Sequence, residues 1–179
     1  MRILIIPGSL RVNSFNKALC RHIVEIAPTE IEMEIFELNE IPMFNADLEV
    51  SLPVSIKNLM DQVAKSNAII ISTPEYNNLL PAPVKNVLHW LSRSYAKGLI
   101  KDMPLGIMGV SDGNFGTVRA QNELLLMASI IGMKTNANYR LPVPNALDVF
   151  DEEGMIIDEK LLQRTQKFLD NFIEGIKTT

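Results

Sequence analysis

Arg2-Ile3-Leu4-Ile5-Ile6-Pro7-Gly8-Ser9-Leu10-Arg11-Val12-Asn13-Ser14-Phe15-Asn16-Lys17-Ala18-Leu19 opens the chain and reads as strand, loop and helix. Ile3 to Ile6 is an unbroken aliphatic run, as expected of a strand buried on both faces. Pro7-Gly8 stops it. From Ser14 onward Phe15, Ala18, Leu19, His22, Ile23 and Ile26 recur at helical spacing. The loop between them reads in two ways. It is an anion site, where free backbone N–H groups and the helix dipole hold a phosphate and Ser9, Arg11, Ser14 and Asn16 add side-chain bonds. Or it is an N-capping turn on Ser14 or Asn13 with a surface arginine.

Two later stretches repeat this plan. Ala68-Ile69-Ile70-Ile71-Ser72 runs into the polar loop Thr73-Pro74-Glu75-Tyr76-Asn77-Asn78 and a helix over 81–91. Pro81 and Pro83 suit the first turn of that helix, where a missing N–H costs nothing. Met103 to Val110 runs into Ser111-Asp112-Gly113-Asn114-Phe115-Gly116 and a helix over 117–131, with Gly132 behind it. Ile31 to Leu38 alternates apolar and acidic residues, which predicts an edge strand. Residues 39–53 read as a long loop, 54–66 as a helix, 95–102 as a connector and 134–140 as a short fifth strand closed by Leu141-Pro142-Val143-Pro144. An acidic loop over 148–158 precedes a final amphipathic helix over 159–176. Strict alternation of strand and helix predicts an α/β fold in one domain over 1–179. The expected core is a doubly wound, five-stranded parallel sheet of order 2-1-3-4-5, with helices on both faces.

Composition narrows the function. A net charge of −4 with no basic stripe argues against nucleic-acid binding. No run approaches the roughly 20 apolar residues of a membrane span, and Arg2 followed by four apolar residues is no signal peptide. The one cysteine, Cys20, makes no internal disulfide and suits a reducing cytoplasm. Its place in the first helix predicts a buried structural thiol. Two histidines and one cysteine make a metal site of N and S ligands improbable. Met43, Met103, Met108, Met127 and Met133 read as core filling.

In such a sheet, ligands bind beyond the carboxyl ends of the strands where strand order reverses. The loops 8–16, 73–78 and 111–116 all leave that edge, and all are rich in hydroxyl, amide and glycine. The first offers a phosphate cradle; without a Gly-Lys-Ser or Gly-Lys-Thr sequence it is no triphosphate P-loop. The second offers backbone N–H groups of Glu75, Tyr76 and Asn77 to a heteroaromatic ring. Gly113 and Gly116 in the third allow close backbone approach to a flat ligand.

Gly8-Ser9-Leu10-Arg11 with Ser14 and Asn16, then Pro74-Glu75-Tyr76-Asn77, then Pro81 with Lys85-Asn86 and Trp90-Leu91, resemble the NADPH-dependent FMN reductase family. Ser111-Asp112-Gly113, Gly116 and Arg119-Ala120-Gln121 match its third motif, and Ile41 to Asn45 with Asp47-Leu48-Glu49 resembles another family stretch. The resemblance implies a flavodoxin-like fold and an oxidoreductase that takes hydride from NADPH or NADH onto FMN. Two electrons would then go to a small acceptor such as a quinone, azo dye, chromate or free flavin. It implies Ser9, Arg11, Ser14 and Asn16 at the FMN phosphate, and Pro74, Glu75, Tyr76 and Asn77 along the isoalloxazine and ribityl chain. Ser111 and Gly113 would lie on the far side of the ring. It also implies a homodimer or homotetramer with the flavin near a subunit interface. Two positions depart from the family pattern: His89 stands where Asp is usual, and Thr117 where a second Gly is usual. No side-chain acid or base is expected, since redox chemistry of this kind belongs to the cofactor. The alternatives are a flavodoxin-like electron carrier and a flavin-binding redox sensor without turnover.

Overall fold

A computed structural model of the chain describes residues 1–96 and 98–178. Lys97, inside the connector expected over 95–102, and Thr179 lie outside the described residues. β1 (Arg2–Pro7) sits between β2 (Glu32–Ile35) and β3 (Ala68–Ser72), followed outward by β4 (Pro104–Val110) and β5 (Lys134–Val143). The order is β2-β1-β3-β4-β5 and every pairing is parallel. Parallel neighbours need long crossovers. Helices α1 (Phe15–Glu25), α2 (Val54–Ala64), α3 (Ala82–Leu91) and α4 (Val118–Ile130) supply them, and α5 (Ala146–Val149) and α6 (Glu159–Lys177) follow β5. The flavodoxin-like architecture expected from the sequence is therefore present.

Successive strand residues face opposite ways, and each face has its own core. Ile3, Ile5, Ile70 and Met108 pack with Leu19 and Ile23 of α1 and Phe168 and Phe172 of α6. Leu4, Ile6, Ile69 and Ile71 pack with Leu59 of α2, Val84 and Leu88 of α3 and Leu124 of α4. Burying each such aliphatic side chain contributes roughly 1.5–3 kcal/mol, which is why these unbroken runs sit in the middle of the sheet.

Cys20 lies in the first of these cores, fully buried, and loss of solvation pushes its thiol up to about 12. The native protein is expected to resist a thiol reagent at pH 8 and to react only after unfolding. Rapid labelling of the folded chain, followed by absorbance, would refute this burial.

Several expectations are corrected. β2 spans four residues and not 31–38, because its pairing with β1 ends at Ile35 opposite Ile5. The loop over 39–53 contains a short 3-10 turn, Ala46–Val50, whose first residues are capped by Asn45 accepting from the Asp47 N–H at 3.0 Å. β5 runs on to Val143 through Pro142, which an edge strand tolerates. A bulge sets Asn136 to Tyr139 against Gly106 alone. The short α5 takes residues 146–149, the last two of which were expected in the acidic loop over 148–158. Met43 is 68% exposed and fills no core. No helix of the described residues is long and apolar enough to cross a membrane.

Candidate functional site

Ser9, Arg11, Ser14, Asn16, Pro74, Glu75, Tyr76, Asn77, Ser111 and Gly113 all line one cavity of about 610 Å3, beyond the carboxyl ends of β1, β3 and β4. That volume is within the usual range for a small-molecule or cofactor site. Phe15, Asn78 and Phe115 also line it and were not expected as site residues; Arg119, a candidate for the nicotinamide nucleotide or a neighbouring subunit, lines it too. Phe115 and Asn78 stand in loops already singled out, so loop membership was the signal available.

The first loop is built around α1. Ser14 caps the helix, its hydroxyl oxygen accepting from the Asn16 N–H at 3.2 Å. The first backbone bond of the helix is Ala18 N–H to the Ser14 carbonyl at 2.9 Å, so the Phe15 and Lys17 amides precede any intrahelical acceptor. Ser9 Oγ accepts from the Arg11 N–H at 3.4 Å, and both serine hydroxyl hydrogens remain to donate. The Arg11 guanidinium is exposed and makes no hydrogen bond or ion pair to the described residues. Asn16 differs. Its Oδ1 accepts from Ser72 Oγ (2.9 Å) and the Val110 N–H (3.0 Å), and its Nδ2 donates to the Val110 carbonyl (3.0 Å). This buried amide ties the start of α1 to the ends of β3 and β4.

The second loop ends in a two-residue hairpin. Tyr76 and Leu79 exchange backbone bonds of 3.2 and 3.0 Å, and Asn77 and Asn78 both take positive φ, the type I′ geometry that asparagine accepts readily. The Tyr76 N–H is therefore spent inside the turn, which corrects the expectation that it faces a ring. Its side chain is 49% exposed on the rim. The Glu75 carboxylate, only 7% exposed, accepts from the Ala120 N–H at 2.9 Å and pairs with Arg119 at 3.5 Å. Glu75 thus caps α4 from another loop, a duty Thr117 leaves open because its side chain makes no cap bond. Arg119 also donates to Asn78 Oδ1 at 3.0 Å and lies 4.8 Å over the Phe115 ring. Arg93, by contrast, pairs with Glu49 at 2.5 Å and is no part of the cavity lining.

In the third loop the two glycines have different duties. A Cβ on Gly113 would meet only Ser111 Oγ at 3.9 Å, so this backbone borders open space. Gly116 has φ +60° and a Cβ there would press on Val143 N at 2.9 Å; its role is the turn and not ligand approach. Ser111 Oγ donates to the Gly116 carbonyl at 2.7 Å and fixes that turn.

Three helices follow the loops that line the cavity, and they differ in what they offer an anion. The first turn of α3 carries Pro81 and Pro83, which have no N–H, and α4 is already capped by Glu75. The start of α1 remains, beside Arg11. Among the described residues no group of His, Cys, Asp and Glu side chains is arranged to hold a metal ion. Neither family departure alters the lining: His89 stands exposed on α3 with its ring 6.3 Å from that of Phe44, and Thr117 is buried, accepting from Gln121 Nε2 at 3.0 Å.

Fold and site together define a doubly wound α/β protein with one anion anchor and a broad cavity at the sheet's carboxyl edge. The sequence profile described as NADPH-dependent FMN reductase matches residues 1–148, and the chain belongs to that family of oxidoreductases. It is 27% identical over 177 residues to a 2-hydroxy-1,4-benzoquinone reductase of Burkholderia sp, covering 99% of this chain and 97% of that protein. It is 29% identical over 179 residues to a quinone reductase of Pseudomonas putida, covering 98% and 94%. Among solved structures, the flavoenzyme FerB, an NAD(P)H:(acceptor) oxidoreductase from Paracoccus denitrificans, superposes with a TM-score of 0.90 at 28% identity. That match covers 99% of this chain and 97% of the other.

The hairpin loop is also held by Glu123, which accepts from the Leu80 N–H at 2.8 Å and pairs with Lys85 at 2.7 Å. The Lys85 ammonium bonded to it, and then the Leu80 amide, hold its carboxyl below the ordinary range. A carboxylate held down in the folded state stabilises above its unfolded pKa and loses that stabilisation as pH falls through the folded value. Wild type is therefore expected to exceed Glu123→Gln in denaturant resistance at pH 6, with the gap closing in acid below about pH 4. An equal gap at both pH values would refute the assignment.

Proposed function

We propose that the chain is one FMN-binding domain over residues 1–179 whose cavity holds the cofactor across the sheet edge. Ser9, Arg11, Ser14 and the opening amides of α1 would hold its phosphate, with Asn16 keeping that loop in place through β3 and β4. Pro74, Glu75, Tyr76 and Asn77 would border the ring and ribityl chain on one side, Ser111 and Gly113 on the other. The observation that carries the reading is the convergence of these residues from three loops on one cavity, with the Arg11 guanidinium, unpaired among the described residues, beside the opening amides of α1. FMN, when bound, supplies the two-electron chemistry that takes hydride from NADPH or NADH and passes it to a small acceptor.

The chain's own residues bind and orient. Backbone amides of Glu75 and Asn77 make no bond to the described residues and face the task of stabilising negative charge on a reduced ring. Tyr76 and Phe115 leave exposed aromatic surface on opposite loops of the rim, suited to a flat acceptor. Two of the relatives are named for quinones, which favours a quinone-type acceptor. No catalytic acid or base and no metal is assigned. A homodimer or homotetramer in the cytoplasm completes the proposal.

Purified protein is expected to be yellow, or to become so with FMN, and to bind FMN far more tightly than riboflavin, which lacks the phosphate. Anaerobic NADPH or NADH should bleach the bound flavin, and a quinone should restore it. Protein that stays colourless and takes up no FMN overturns the reading. Flavin uptake without nicotinamide-driven turnover would favour an electron carrier or a sensor.

A further inference from the structure

Two cations line the carboxyl-edge cavity among the described residues, and holding a flavin phosphate employs only Arg11. The other, Arg119, stands in the first turn of α4, where the positive end of the helix dipole disfavours a cation. The helix itself gives no reason for an arginine there. Its neighbours in the lining do.

Nη1 of Arg119 donates to Asn78 Oδ1 at 3.0 Å and meets Glu75 Oε1 at 3.5 Å, and the guanidinium carbon lies 4.8 Å from the centroid of the Phe115 ring. These contacts, made to two of the lining loops, orient the group in advance. They leave Nε and Nη2 without a hydrogen bond to the described residues, on a side chain that is 48% exposed. The charge is only partly offset. Glu75 reaches it with one oxygen over a long separation, while its other oxygen accepts from the Ala120 N–H. Asp112, the other carboxylate of the lining, makes no ion pair with it. By comparison, Lys17, Lys85 and Arg93 each pair with a glutamate at 2.5–2.7 Å, and none of them lines the cavity.

We propose that Arg119 determines acceptor specificity, selecting flat acceptors that carry an ionised oxygen beside a ring carbonyl, the pattern of a 2-hydroxyquinone anion. The N–H groups of Nε and Nη2 lie on one edge of a rigid planar group and match two neighbouring oxygens of that kind. The Phe115 ring under the guanidinium, 65% exposed, and Tyr76 across the rim supply the surface that a flat ring needs. This role rests on the cavity being the place of flavin and acceptor, and adds which acceptors it prefers. A neutral quinone of the same shape leaves the same N–H groups without a charged partner.

The test titrates FMN-loaded wild type, Arg119→Gln and Arg119→Lys with two quinones of nearly equal shape, anionic 2-hydroxy-1,4-naphthoquinone and neutral 2-methyl-1,4-naphthoquinone, at neutral pH. An oxidised flavin does not react with an oxidised quinone, so the flavin absorbance reports equilibrium binding. The quantity read is the ratio of the two dissociation constants, because a general disturbance of the hairpin would weaken both quinones alike. Wild type is expected to favour the anion. Arg119→Gln should lower that preference about tenfold, and Arg119→Lys should fall between, keeping the charge without the planar fork. An unchanged ratio in Arg119→Gln overturns the proposal; if the preference for NADPH over NADH in flavin reduction falls instead, the arginine serves the 2′-phosphate of the nucleotide. Wild type that takes up FMN and binds both quinones equally also overturns it and leaves the flavin site standing, whereas wild type that takes up no FMN fails both.

Discussion

Arg11→Ala is expected to fold normally and to weaken FMN binding by about ten- to a hundredfold, the loss of one or two charge-assisted hydrogen bonds to a phosphate. The side chain is exposed and makes no bond within the described residues, so its removal takes nothing from the fold. Neither of the other two helices that follow the lining loops is placed to replace it, because α3 opens on prolines and α4 is capped by Glu75. Riboflavin binding should change little, since the missing interaction is with the phosphate. Fluorescence titration of wild type and variant with both flavins measures this; equal FMN affinity would remove the phosphate from this loop.

Asn16→Ala acts through the opposite balance and is expected to destabilise the fold by roughly 3–5 kcal/mol. The substitution leaves the Val110 N–H and carbonyl and the Ser72 hydroxyl without their partner in a buried place, at about 1–3 kcal/mol for each orphaned group. For a chain of this length that amounts to a fall in Tm of about 10 °C. The same bonds fix where α1 starts relative to β3 and β4, so flavin should be retained less well even below the transition. Asn16→Asp keeps the two accepted bonds and sets a second acceptor against the Val110 carbonyl, and it too should lose stability. A melting curve within about 2 °C of wild type for Asn16→Ala would show that this amide braces nothing.

The central strands were legible because Ile3 to Ile6 and Ile69 to Ile71 are unbroken aliphatic runs, a pattern only double-sided burial requires. The carboxyl-edge loops were legible because their polar residues follow those runs directly. Long-range duties were not. Glu75 caps a helix 45 positions later, and no local rule announces that a loop carboxylate serves another loop's helix. Asn16 reads as a ligand residue until the ends of β3 and β4 arrive beside it. The continuation of β5 was hidden by Pro142, which closes a strand unless that strand is at the edge. The exposure of Met43 was equally invisible: Trp90 Nε1 and Asn86 Nδ2 each hold the preceding Pro42 carbonyl at 2.8 Å, straps made by side chains more than 40 positions away.

The placement of β1 has a consequence during biosynthesis. β1 is a middle strand that is made before both of its partners, and the partner on one side is not translated until about residue 70. At typical elongation speeds the nascent chain carries that greasy segment with a bare flank for several seconds, roughly 4–14 s. Until then it is exposed to promiscuous pairing, and a holdase that masks this strand would be of most use in that interval.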